Sequence, residues 1–139
     1  MPSNKKPRKK STIKPRSLPI TIRHSEEAET ALQLAPHAEL LKFREGIGDE
    51  QGWHTLVARL NVGLVAAWQN NQPNDGIKKG LDALLKIHAR FDRLGKWGVS
   101  GNDLTEIGEA LVQTDNLQLS LTRKQFALAI RYVFENAAR

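Results

Sequence analysis

The stretch Trp53–Trp68, WHTLVARLNVGLVAAW, decides the fold. At about 100° per residue, Trp53, Leu56, Val57, Leu60, Leu64, Ala67 and Trp68 fall within about 120° of one another on a helix. The opposite side carries Ala58, Val62, Val65 and Ala66 and is hardly more polar. Arg59 is the only full charge in the stretch, with His54 a second ionisable group. A helix that is apolar nearly all round is buried over most of its circumference, which predicts the central helix of a bundle. Gly63 gives a neighbouring helix room for close approach. The run is too short and too interrupted to span a membrane, which takes roughly 20 apolar residues.

Start and stop signals on either side divide the chain into further helices. Ser25, followed by Glu26, Glu27 and Glu29, reads as an N-cap with acids in the first turn, opening a helix to about Gln33. Pro36 then suits the first turn of a new helix, or kinks a single one, with Ala38, Leu41 and Leu40 inward until Gly46. Asp49 caps the central helix, which ends near Asn70, Asn71 and Pro73. The turn Asn74-Asp75-Gly76 leads into a helix with Ile77, Leu81, Leu84, Leu85, His88 and Phe91 on one face and Gly95 as its stop. Trp97 follows in a loop. Ser100 and Asp103 open the next helix, with Leu104, Ile107, Leu111 and Val112 inward and a predicted end at Asp115-Asn116. Thr122 and Gln125 form a capping box, Leu121 and Phe126 a hydrophobic staple, and Phe126, Ile130, Val133, Phe134 and Ala137 an apolar face on the last helix. The expectation is an all-α fold, a five- or six-helix bundle over residues 24–139, preceded by a disordered or extended basic arm over residues 1–23.

Chain length fits one domain with a sizeable core, at 139 residues. The absence of cysteine excludes a disulfide framework, a thiolate zinc site and a cysteine nucleophile, and suits a reducing cytoplasm. No apolar run follows the basic start, so neither a secretory signal nor a membrane anchor is expected.

Charge is distributed unevenly. Lys5, Lys6, Arg8, Lys9, Lys10, Lys14, Arg16 and Arg23 give residues 1–23 a charge of +8 with no acid, although the whole chain carries +6. The body is therefore close to neutral, and the high pI belongs to the arm. Pro2, Pro7, Pro15 and Pro19 interrupt any helix there, and eight like charges repel. Leu18, Ile20 and Ile22 alternate as a short extended segment would.

A flexible cationic arm tracks a phosphate backbone through counterion release, without a rigid fit. The competing readings are a solubilising tail or an acidic protein partner. An anionic membrane is disfavoured because residues 1–16 have no amphipathic apolar face. A second cationic stripe, Lys79, Lys86, Arg90 and Arg93 with Lys78 and Lys96 nearby, follows helical spacing after the turn. It either extends the footprint on phosphate, with Trp97 stacking on an unpaired base, or is a solvated helix face. Arg123, Lys124 and Arg131 raise a helix-turn-helix, but a connection from Asp115 to Leu121 is long for that motif. His24, His37, His54 and His88 show no i,i+4 pairing and no partner carboxylate at a ligand-like spacing, and no P-loop or serine elbow occurs. No catalytic residue, metal or cofactor is expected.

Lys6-Pro7-Arg8, the W-x-T-L-V-A segment Trp53–Ala58, Gly80–Leu84 and the D-x-x-L stretch Asp115–Leu121 leading into Thr122 resemble a loose family of small, basic-tailed, all-helical phage and prophage proteins of proteobacteria. The resemblance implies a helical fold and a mobile-element origin, and the expected location is the cytoplasm of the bacterial host cell. It carries over no catalytic residue. The function expected from these readings is non-enzymatic nucleic-acid binding through the arm, the alternative being a protein–protein interaction module acting on a host factor. Oligomeric state is left open.

Overall fold

The computed structural model describes residues 26–137, all of whose regular elements are helices: α1 (Glu26–Arg44), α2 (Glu50–Gln69), α3 (Asp75–Leu94), α4 (Gly101–Ser120) and α5 (Arg123–Ala137). The expected arm, its eight cations, the Leu18–Ile22 segment, His24 and the Ser25 cap lie outside the described residues. From Leu34 onward the described residues form one compact unit, whose first residue lies within α1. α1 is one continuous helix with Pro36 inside it, which decides between the two readings of that segment.

α2 is the central helix, lying against α3, α4 and α5. Asp49, in extended conformation, accepts the Gly52 N–H at 2.8 Å and starts it. Its far end closes as a Schellman motif: Gln72 N–H reaches Ala67 O at 2.8 Å, with Asn71 left-handed at φ 55°. Asparagine tolerates that region better than other non-glycine residues, which explains the stop at Asn70-Asn71. α1 ends in the same way through Gly46 (φ 82°), with Ile47 N–H on Lys42 O.

Two buried clusters fill the body. The larger joins Leu40 and Phe43 of α1, Trp53, Leu56 and Leu60 of α2, Ile77, Ala83, Leu84 and Ile87 of α3, and Ile107, Ala110 and Leu111 of α4. The smaller joins Val62, Ala66 and Ala67 to Leu117 of α4 and to Phe126 and Ala129 of α5. Helices come close where side chains are small: Gly63 lies against Thr114, and Gly80 against Ala110 and Leu60. Across the α2–α3 seam, the Trp53 indole N–H donates to Leu84 O at 2.7 Å.

Several faces differ from their expected orientation. In α1, Leu40 and Phe43 point inward while Ala38 and Leu41 are exposed; a shift of one or two residues turns a helical face by about 100–200°. Leu85 and Val112 each sit one position beyond a buried leucine and are exposed rather than inward. Trp68 and Phe134 are also solvent-accessible. α4 continues past Asp115-Asn116 to Ser120, because Asp115 and Gln118 turn inward to a buried arginine instead of breaking the helix.

Candidate nucleic-acid interface

α3 is amphipathic, and its outer side holds the cationic stripe. Lys79, Lys86 and Arg93 are exposed and separated by seven residues, which sets them in a line with steps of about 10 Å. Lys78 and Lys96 are exposed beside them, and Asp82 and Asp92 interrupt the positive field. The base of the helix is fastened from α4. Asn74 makes no side-chain cap bond, and instead Gln113 accepts the Ile77 N–H at 2.9 Å while its amide donates to Pro73 O.

Arg90 does not belong to the available stripe. Its guanidinium donates to Asp103 Oδ2 at 2.7 Å and to Gly98 O at 2.7 Å, tying the α3–α4 loop to the start of α4. Asp103 is buried and also serves the Ser100 capping box, accepting the Ser100 N–H at 3.0 Å while its own N–H donates to Ser100 Oγ. Burial works to raise the Asp103 carboxyl, but the Arg90 hydrogen bond, the bonds from Ser100 and the Arg90 charge outweigh it and hold the group below the ordinary carboxylate range. An arginine spent in this way offers little to phosphate.

Trp97 is half-buried and stacked on Phe91, with centroids 4.1 Å apart and planes 10° from parallel. Phe43, Trp53 and His88 ring the same indole at 6.1, 6.4 and 5.8 Å. With one face taken by Phe91 and its edges by the other rings, the indole is packing for this end of the bundle and not an open platform for a base. The exposed cations of α3 are Lys78, Lys79, Lys86 and Arg93.

The histidines have carboxylate neighbours that sequence spacing was expected to lack. His54 lies 3.6 Å from Glu50 and His88 lies 3.3 Å from Asp92, both at i,i+4 spacing, and His37 Nε2 lies 2.7 Å from Asp115 Oδ2. Among the described residues, no three His, Asp or Glu side chains are grouped to hold a metal ion.

Asp115 belongs to a charged network around a buried arginine, which sequence reading missed. Arg59 is buried and donates through Nη2 to Asp115 Oδ1 at 2.8 Å and to Gln118 Oε1 at 2.7 Å, with its guanidinium 5.5 Å from the Phe126 ring centroid. Burial lowers the pKa of Arg59, and the Asp115 bond and charge oppose that shift. His37 approaches the other Asp115 oxygen from α1, so α1, α2 and α4 meet on one carboxylate. The available signal was a lone arginine in a run, Gln51–Gln69, with no other full charge.

α5 carries Lys124 and Arg131 on its exposed side. The link before it is only Leu121-Thr122, shorter than expected, but α5 packs chiefly on α2, with Phe126 and Ala129 buried. The capping box that starts it is present in both directions, through Gln125 N–H on Thr122 Oγ1 and Thr122 N–H on Gln125 Oε1. No protein-family model, curated protein or solved structure matches this chain.

Proposed function

We propose that this is a non-enzymatic accessory protein of phage or prophage origin that binds nucleic acid through phosphate contacts, without reading base sequence. The acid-free run of eight cations in residues 1–23 carries the proposal. The exposed line Lys79, Lys86 and Arg93 supports it with a second, rigid set of phosphate ligands. Base recognition would need polar side chains presented to a groove or an accessible aromatic face, and Trp97 is committed to Phe91. If all eight arm charges meet duplex phosphates, log K falls with log salt at a slope of roughly −7, and three α3 cations add about −3.

A mobility-shift titration with duplex DNA and single-stranded RNA of unrelated sequences tests this. Binding should be similar among sequences at about 50 mM salt and should weaken steeply as salt rises. Removing residues 1–23 should abolish it while circular dichroism keeps the helical signal and a cooperative melt. Absence of binding by the full chain at low salt would reject the proposal and leave the alternative, a module that binds a host protein.

A further inference from the structure

The outer side of α2 carries a second feature, independent of phosphate binding. Between Glu50 and Asp75 the only ionisable side chains are Arg59, which is buried, and His54. In a chain with 26% charged residues, the exposed side of α2 from Gln51 to Gln69 carries no acid, lysine or arginine, and Glu50, 3.6 Å from His54, bounds it at the first turn. His54, Ala58, Asn61, Val65 and Trp68 lie along it at successive steps of four, three, four and three residues, the spacing of a coiled-coil seam. His54, Ala58 and Trp68 are exposed, and Asn61 and Val65 half-buried. The seam continues sideways onto Tyr132 of α5, whose ring lies 5.5 Å from Trp68, and onto exposed Leu128 one turn away. On the α3 side, Leu64 and Leu81 pack against the core, and exposed Leu85 lies one turn beyond Leu81.

We propose that this face is the interface of a two-fold homodimer in which α2 packs antiparallel on α2 of a second copy. The seam is self-complementary about its midpoint, Asn61. A two-fold axis there sets His54 opposite Trp68, ring against ring, and brings Ala58 within one residue step of Val65, small beside branched. The Asn61 side chain, at the axis, makes no hydrogen bond to another described residue, and its amide has the donor and acceptor that an identical amide across the axis needs. A single polar residue in an apolar seam fixes register in helix pairs. Along the seam from Ala58 to Trp68 a charged partner would find nothing to pair with, whereas an identical stretch brings no like-charge repulsion.

Size is also adequate. α2 is about 30 Å long, and the strip from the α3 edge to the α5 edge spans two interhelical distances, about 20 Å. That gives on the order of 600 Å² per partner, the lower end of specific interfaces, and a reversible dimer with a micromolar Kd.

Light scattering coupled to size exclusion tests this on the full chain. At about 100 μM, far above such a Kd, the mass should be twice 15.6 kDa and should fall on dilution. Ala58→Glu, and separately Trp68→Glu, should give the monomer mass with an unchanged helical signal. Because the chain has no cysteine, Asn61→Cys provides a second measurement that does not depend on tolerance of a buried charge: a short bismaleimide should link two copies through it, and not through Asn116→Cys on exposed α4. A monomer at about 100 μM, whether the face stays open or is covered by the chain's own N-terminal residues, overturns the proposal. So does a dimer that both glutamate variants leave intact, or equal cross-linking at the two cysteine positions.

Discussion

Replacing Asp115 with alanine should destabilise the body more than any other single polar substitution in it. Arg59 is 8% exposed, and of its three guanidinium nitrogens Nη2 makes both hydrogen bonds, at 2.8 Å to Asp115 and 2.7 Å to Gln118, while Nε is buried without a partner among the described residues. Losing the carboxylate leaves a buried cation facing one neutral amide and an aromatic face. Breaking a buried pair in this way costs about 3–5 kcal/mol, against about 5–15 kcal/mol for the whole stability of a domain. Arg59→Met reverses the balance: it removes the buried charge and the unpartnered Nε together, and leaves Asp115 at the rim with His37. Its cost should stay within about 2 kcal/mol, since the methionine stem keeps most of the apolar packing. Urea unfolding followed by tryptophan fluorescence gives both numbers as shifts in midpoint at constant m. Equal losses in the two variants, or a loss below about 1 kcal/mol for Asp115→Ala, would mean that the guanidinium swings into water when released, and the claim of a trapped charge would fail.

Other consequences are more local. Leu60 is fully buried between α3 and α4, so Leu60→Ala should cost about 2–5 kcal/mol by urea unfolding. Gly80→Ala would drive a methyl into Ala110 and Leu60, costing about 1–3 kcal/mol and lowering the melting temperature, whereas Gly98→Ala, with nothing nearby, should be close to neutral. The Asp103 carboxyl is depressed below its ordinary value of 3.8, so its contribution is fully present above that pH and is lost as pH falls through the lower folded-state value. Asp103→Asn should therefore lower stability at neutral pH and flatten the acid limb of the stability profile below about pH 4.

The fold was legible where local chemistry and burial agree. Asp49, Gly95, the Ser100–Asp103 box and the Thr122–Gln125 box each satisfy helix-end groups within a few residues, so they fix boundaries without reference to the rest of the chain. Faces were less legible, because α1, α3 and α4 each carry adjacent apolar pairs (Leu40-Leu41, Leu84-Leu85, Leu111-Val112) of which only the first is buried. Which member turns inward depends on the position of the neighbouring helix, and periodicity alone leaves a turn of about 100° undetermined. The candidate stripe suffered for the same reason. Arg90 looks like Lys86 and Arg93 on a wheel, and only the tertiary structure, which brings Gly98 and Asp103 to its guanidinium, takes it out of the stripe. The Arg59 network was hidden more deeply, since its partners lie more than fifty residues away along the chain.

Phosphate binding and dimerisation place a quantitative constraint on each other. Counterion release counts charges per bound particle, so a dimer that lays both arms on one duplex should show a salt slope approaching twice the roughly −7 of a single arm. Ala58→Glu leaves every arm cation and the α3 line unchanged. On the proposed interface it should nevertheless halve the slope and weaken apparent affinity, because the second arm no longer arrives at high local concentration. Lys79, Lys86 and Arg93 replaced together by glutamine should instead reduce the slope by about 3 for each chain bound and leave the mass at the dimer value. Measured with the same duplex, the two variants separate a loss of partner from a loss of phosphate contacts. If Ala58→Glu reduces the mass but leaves the slope unchanged, only one arm touches nucleic acid at a time, and the dimer's role lies elsewhere than in avidity.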